Sequence, residues 1–418
     1  MRQLNGKAMS VIGLGVVGLT TAVGFRLKGF KVTGIDIDPE KVIRINEGAS
    51  PIYERALGEA LKKVRLKATT DFEQVMKSDI SFLCGGTPGK NDGSINLHYI
   101  QKPVEQLAEL LKRKGGPHLV VIRSTVVPGT TDEVIAPYFH DLPQVGICVN
   151  PEFLQMGTAL EDFLAPNRII IGENDPQWGS FLATLYKTFN APIVRTNFKT
   201  AEMIKYASNS ALATKVSFIN EIGNICKKLG IDAYEVAKAM EFDHRIGEGH
   251  LEAGIGYGGS CFPKDLAALV SKAQEVGYEP NLLHQVIELN NRQPQRMMEL
   301  LKNHVPRLKG KVIGILGLAF KPDTDDVRES KAIPIIEALL KEGTKIRAYD
   351  PQGMPNFQKL FPDIEYATSA EKVLETDAVL IVTAWDEFGC LDFNGCIVID
   401  GRRVDAARNA RIYEGVCW

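Results

Sequence analysis

The stretch GIGYGGSCFPKDLAAL (Gly254–Leu269) sets one cysteine between a run of glycines and a Pro-Lys-Asp that opens an apolar, helix-like segment. Pro263 suits the first turn of a helix, so Cys261 falls just ahead of a helix N-terminus, where the dipole favours a thiolate. The glycines leave space for a ligand on its other side. Asp265 comes four residues later and shares the face of Cys261 if the helix begins at once. A carboxylate there opposes thiolate formation, which points to a base acting on water rather than on the sulfur. Lys205 and Asn209 are also four apart, in an uninterrupted helical pattern, and spacing alone favours a solvated edge of that helix. The other six cysteines (84, 148, 226, 390, 396, 417) read as small buried hydrophobes.

A second chemical signal is GLGVVG (Gly13, Gly15, Gly18). By itself G-x-G-x-x-G is weak. Here it follows a strand-like run, opens a helix, and is followed by Asp36 at the end of the next strand, which completes a dinucleotide fingerprint. The glycines allow a tight turn and let a pyrophosphate approach the N–H groups of the helix start. Asp36 would accept from ribose hydroxyls and repel a 2′-phosphate, so NAD is expected over NADP. A glycine turn that merely packs a helix on a sheet is the plainer alternative.

The elements that must position these groups fall into three parts. Residues 8–14, a helix to Gly29 and KVTGIDID make a βαβ unit, and DISFLC (79–84), HLVVIRST (118–125) and VGICVNPEF (145–153) continue a parallel sheet covered on both faces. From about Thr200 to Gly230 apolar residues recur every three or four positions without proline, giving a rod of roughly 45 Å that suits a domain connector and a dimer core. From Lys309 the first pattern returns: GKVIGILGLAF, SKAIPIIEALLKEG, KIRAYDP, DAVLIVTAW and CIVIDGRR. Gly314 and Gly317 parallel Gly13 and Gly18, and Asp350 parallels Asp36, but the third glycine is absent and KPDTDDVRES is inserted. A second Rossmann-like domain with a different ligand is expected. The boundaries read as 1–199, 200–300 and 301–418, an α/β chain with two doubly wound sheets joined by a central helical region.

Composition excludes several classes. The 418 residues are 44% hydrophobic and 24% charged with a formal net charge of −2, so no basic excess points to nucleic acid or an anionic membrane. Seven cysteines without CxxC pairs and seven histidines without metal-like spacing imply reduced thiols and no metal. The N-terminal apolar run is broken by glycines and has no cleavage-like site, which leaves the cytoplasm as the expected location.

GYGGSCFPKD, VIRSTVVPGT (121–130), NPEFL (150–154), EMIKYASN (202–209), DHRIG (243–247) and GLAFKPDTDDVRES (317–330) together resemble the nucleotide-sugar dehydrogenases, in family order and over nearly the whole chain. The resemblance implies an NAD domain, a helical dimerisation region and a C-terminal UDP-sugar domain. It implies that Cys261 is the catalytic nucleophile, with Lys205, Asn209, Asp265, Glu152 and Thr125 as its partners, in a four-electron oxidation through a thiohemiacetal and a thioester. For the cofactor it implies Gly13, Gly15, Val16, Val17, Gly18, Asp36, Lys41, Thr87, Pro88, Ser124, Thr125 and Arg328. For the sugar nucleotide it implies Glu152, Phe153, Leu154, Lys205, Asn209, His250, Gly258, Lys321 and Arg402, together with Arg245 reaching the other subunit of a homodimer.

The SCFPKD and DHRIG wording is nearer the UDP-glucose branch than the GDP-mannose one and lacks the histidine before cysteine of the N-acetylhexosamine branch. Three departures stand out: Met156 occupies the place of a second family glutamate, His250 that of an aromatic residue, and CGGTPG (84–89) replaces a bulkier nicotinamide loop. The competing readings are a two-electron β-hydroxyacid dehydrogenase and a non-catalytic NAD-binding module. Cys261 and the C-terminal repeat count against the first, and the joint presence of Lys205, Asn209, Cys261 and Asp265 against the second.

Overall fold

The computed structural model describes residues 7–418. Two compact units share the chain. The first runs to Ser208 and takes in Ala267–Val276; the second is Asn209–Leu266 with Gly277–Trp418.

The first unit is built on β1 (Ala8–Ile12), β2 (Lys31–Ile35), β3 (Lys67–Thr69), β4 (Ile80–Leu83), β5 (His118–Ile122), β6 (Val145–Val149), β7 (Ile169–Glu173) and β8 (Ile193–Thr196). They form one sheet in the order β3-β2-β1-β4-β5-β6-β7-β8. Alternate residues feed two cores, as a sheet buried on both faces requires: Met9, Val11, Ile80 and Phe82 enter one, Ile12 and Leu83 the other. The order reverses between β1 and β4, and ligands of such sheets bind outside the strand ends at that switch point. The sheet departs from the all-parallel expectation at β7, which runs antiparallel to β6. Between those strands lies only a six-residue helix, Ala159–Leu164, in place of the full crossover helix usual between parallel strands.

The second unit repeats the plan with β9 (Val312–Leu316), β10 (Lys345–Tyr349), β11 (Glu365–Tyr366), β12 (Ala378–Ile381), β13 (Ile397–Asp400) and β14 (Ile412–Gly415). Their order is β11-β10-β9-β12-β13-β14, with every pair parallel. Again the faces alternate: Ile313, Ile315, Ala378 and Leu380 go to one core, Leu316, Val379 and Ile381 to the other.

Two helices carry the chain from one unit into the other. The long helix Phe198–Leu229 spans 32 residues, and the cysteine helix Phe262–Glu275 spans 14. The long helix buries Ala201, Lys205, Asn209, Ala213, Ser217 and Asn220, a stripe at three- and four-residue steps in which four of the six are polar. No helix among the described residues is long and apolar enough to cross a membrane.

Candidate active site

In the first unit, Val16–Leu27 follows β1 with Gly15 as its N-cap, no side-chain cap and no acid in its first turn. The N–H groups at Val16 and Val17 therefore face no competing carboxylate of their own helix. Each glycine has a separate reason. Gly13 adopts φ +88°, a left-handed turn; a Cβ on Gly18 would lie 1.7 Å from the Gly13 carbonyl oxygen; and a Cβ on Gly15 would meet nothing within 4 Å, leaving that side open to a ligand. Asp36 ends β2 as expected, accepting from Leu14 N–H at 2.7 Å and Asp38 N–H at 3.0 Å, with Lys41 Nζ at 3.7 Å. Across the switch point, Ser124 Oγ donates to the Gly85 carbonyl at 2.7 Å and Thr87 Oγ1 to the Thr125 carbonyl at 2.8 Å, tying the loop of Thr87 and Pro88 to that of Thr125. This cradle fits a dinucleotide.

The same unit holds the lysine half of the set that the resemblance implies. Lys205 and Glu152 pair at 3.1 Å, with side chains only 4% and 6% exposed. The solvated-edge reading of Lys205 and Asn209 is therefore wrong: the helix packs that face inward, and spacing could not reveal what covers it. Burial pushes the Glu152 carboxyl up, but the charge of Lys205 and the Leu154 N–H bond at 2.6 Å outweigh it and hold the group below the usual carboxylate range. Phe153 lies under Lys205 and Arg168, 5.5 and 4.0 Å from its ring centre. Beside Met156, Gly157 N–H donates to Glu54 at 2.5 Å, so the loop that lacks the second glutamate still meets a buried carboxylate. Glu202 is a further residue that sequence reasoning passed over. It accepts from Gly129 and Thr131 N–H at 2.7 and 2.9 Å, and an acid three residues before Lys205 was its only signal.

In the second unit, the cysteine helix begins at Phe262, immediately after Cys261, whose carbonyl accepts from Asp265 N–H at 2.9 Å. Cys261 is exposed, whereas Asp265 is buried, bonded to Asn209 Nδ2 at 2.6 Å and to Lys264 Nζ at 2.5 Å. The asparagine amide has a second N–H beyond the one given to Asp265. Arg328 clasps Asp326 at 2.7 Å and lies within Coulombic reach of the thiol. Gly259 N–H donates to the Arg328 carbonyl at 3.0 Å, and a Cβ on Gly258 would come within 2.2 Å of the Glu329 carbonyl, so only glycine fits there. Arg402 donates to the carbonyls of Val382 at 2.9 Å and Gly256 at 3.1 Å. His250 has φ +61°, its ring centre is 6.3 Å from that of Phe262, and burial lowers its pKa. Lys321 is half-buried on the inserted loop. Arg245 projects, 78% exposed, held by Asp243 at 2.5 Å.

Four other thiols are buried as read, with burial pushing Cys84 up to about 12, but Cys396 is only half-buried and Cys390 is exposed at the end of the short helical turn Asp386–Cys390. Among the described residues no cluster of three or more His, Cys, Asp or Glu side chains could hold a metal ion.

Three sequence models of one family match the chain: the NAD binding domain of the UDP-glucose/GDP-mannose dehydrogenase family at residues 7–190, its central domain at 199–292, and its UDP binding domain at 314–406. The chain is 44% identical to the UDP-glucose 6-dehydrogenase AglM of Haloferax volcanii, over 98% of this chain and 99% of that one. With the UDP-glucose 6-dehydrogenase YwqF of Bacillus subtilis the identity is 42%, over 90% and 87%. A UDP-glucose dehydrogenase structure from the hyperthermophilic archaeon Pyrobaculum islandicum superposes with a TM-score of 0.96 at 41% identity, covering 99% of this chain and 98% of that one.

Proposed function

The chain belongs to the UDP-glucose/GDP-mannose dehydrogenase family, and from that premise we propose that it oxidises UDP-glucose to UDP-glucuronate with two molecules of NAD. The observation that carries this reading is an exposed thiol at the start of a helix whose next turn holds a buried Asp265–Asn209 pair, in a chain that also has a complete dinucleotide cradle. Gly13, Gly15 and Gly18 would hold NAD, which would supply the hydride acceptor for both oxidations.

The chain's own groups do the remaining chemistry. Thr125 holds a water that takes the C6 hydroxyl proton toward Glu152, and loss of hydride leaves an aldehyde. Cys261 Sγ then adds to the aldehyde carbon and its proton passes to the aldehyde oxygen, forming a thiohemiacetal whose oxygen is stabilised by Lys205 Nζ and the second N–H of Asn209. Loss of that proton to water and of a second hydride converts it to a thioester. Water deprotonated by Asp265 attacks the carbonyl, the C–S bond breaks, and uronate and thiol result. A site without the thiol would stop at the aldehyde. Glu152 is the counter-ion of the buried Lys205, and losing one oxyanion donor would cost about 10²–10³ in rate.

The functional unit is a homodimer. Phe218, Ile225 and Leu229 form an exposed apolar stripe on the long helix, at seven- and four-residue steps. Beside it a groove of ≈ 580 Å³ is lined by Ile225, Leu229, Leu289 and Arg292. A second copy would cover both, and Arg245 would reach its partner's sugar. The chain acts in the cytoplasm, where its free cysteines stay reduced. A two-electron β-hydroxyacid dehydrogenase has no use for Cys261 or the second sheet.

The test is stoichiometric. With limiting UDP-glucose the enzyme should form two NADH per sugar and release no aldehyde, and Cys261→Ala should form no uronate. One NADH per sugar would overturn the assignment.

A further inference from the structure

Lys331 caps the N-terminus of the ten-residue helix Ala332–Lys341 and is only 6% exposed. Among the described residues its ammonium has no hydrogen-bond or ion-pair partner, and the Tyr257 ring lies 6.0 Å away. Lysine is rarely buried without a partner, since a desolvated ammonium is costly. A second cation is held beside the same stretch: Arg402 donates to the Gly256 carbonyl at 3.1 Å, next to Tyr257, and lies within Coulombic reach of Lys331. Among the described residues Glu329 is the carboxylate acting on Lys331, and it belongs to the exposed end of the inserted loop. Two acids reach these cations, the exposed Glu329 on Lys331 and the buried Asp400 on Arg402, but Asp400 is taken up by the N–H groups of Arg402, Arg403 and Val404 and by the Tyr413 hydroxyl, so with the helix N-terminus the pair still offers positive charge that an anion would neutralise.

We propose that Lys331 and Arg402 form a paired-cation site that binds the diphosphate of the nucleotide sugar, making Lys331 a substrate-binding residue. This rests on the nucleotide-sugar reading above. The surroundings suit a diphosphate: Arg402 anchors the carbonyl of Gly256, and the loop from Gly254 to Gly259 admits no side chain at Gly254 or Gly258 without collision with the Gly401 or Glu329 backbone. A flat glycine backbone therefore borders the two cations.

The pairing has a pH consequence. Burial, reinforced by Arg402 and opposed by Glu329, pulls Lys331 down to about 8. Tyr257, the remaining titratable group facing it, is pushed upward by burial and stays neutral. As pH rises through 8 the free enzyme loses the Lys331 charge and with it affinity for the anion.

The experiment measures UDP and uridine binding to the full chain by calorimetry, beside melting temperature. Lys331→Met should weaken UDP roughly tenfold or more, leave uridine unchanged, and keep or raise the melting temperature of the ligand-free protein, since a buried unpaired charge is removed. Lys331→Arg should keep UDP affinity and abolish its decline above pH 8. Unchanged UDP affinity in Lys331→Met, or equal losses for UDP and uridine, would overturn the proposal. Because binding is read directly, a protein that binds UDP through Lys331 but oxidises no nucleotide sugar would sink the functional reading and leave this one standing.

Discussion

Glu202 illustrates what a single side chain decides. It sits on the long helix three residues before Lys205, and each of its carboxylate oxygens accepts a backbone N–H from the loop that follows Thr125. Burial pushes its pKa to about 7, with Asp132 adding to the push and the bonds to Gly129 and Thr131 opposing it. In the unfolded chain the group titrates near 4.5. Its contribution to stability is therefore full below about pH 4.5 and is lost as pH rises through 7, when the native state must carry a buried carboxylate. Glu202→Gln should flatten the stability profile between pH 4.5 and 7 while costing about 1 kcal/mol for the acceptor lost. Melting at about pH 5 and pH 7.5 checks this; an unaltered pH slope in the variant would show that another group is responsible. At this scale the sequence was uneven. Cys261 and Asp265 could be located because Pro263 marks a helix start, whereas Lys205, Asn209, Glu202 and Lys331 are informative only once burial is known, and burial is set by residues distant in sequence.

Elements explain why one fold, used twice, serves different ligands. After β1 the chain turns through Gly13 and enters a helix at Val16; after β9 it turns through Gly317 but reaches its helix only at Ala332. The two strand-end acids diverge with it. Asp36 retains 8% exposure, while Asp350 has none, accepting from the N–H groups of Leu318, Ala319, Gln352 and Gly353 and from Trp385 Nε1. An acid saturated by five internal donors cannot also hold a ribose, which gives a physical basis to the sequence difference between the repeats. The strands were legible because apolar runs bounded by glycine and acid are hard to read otherwise. The reversed β7 was not, because direction follows from the length and packing of a connection. Gly18 tests the packing argument. Gly18→Ala would drive a Cβ into the Gly13 carbonyl oxygen, so it should destabilise the first unit by roughly 1–3 kcal/mol and abolish NAD binding. Wild-type affinity by cofactor fluorescence titration would mean that the turn tolerates a shift not evident from its geometry.

For the whole molecule the unsettled question is whether one chain suffices. Leu229 on the long helix is 67% exposed, Ile225 52% and Phe218 46%, an apolar stripe that a monomer would leave in water. An isologous contact is self-complementary, so whatever one chain extends across it the other extends back. Arg245 is suited to such a reach: it is exposed, and its bonds to Asp243 fix its direction without burying it. Homodimers of Arg245→Ala and of Cys261→Ala should each be nearly inactive. Consider the mixed dimer. The chain that keeps Cys261 carries the Arg245 lesion, yet its site receives Arg245 from the partner, so one site of two is complete. The other site lacks both the thiol and the arginine. If instead Arg245 served its own chain, each site would lack one residue and no activity could return. Purified mixed dimers, tagged differently on each chain, should thus regain about half the activity of the unaltered dimer under the half-site arithmetic of a two-fold assembly, and a mixture as inactive as its parents would rule out the shared site.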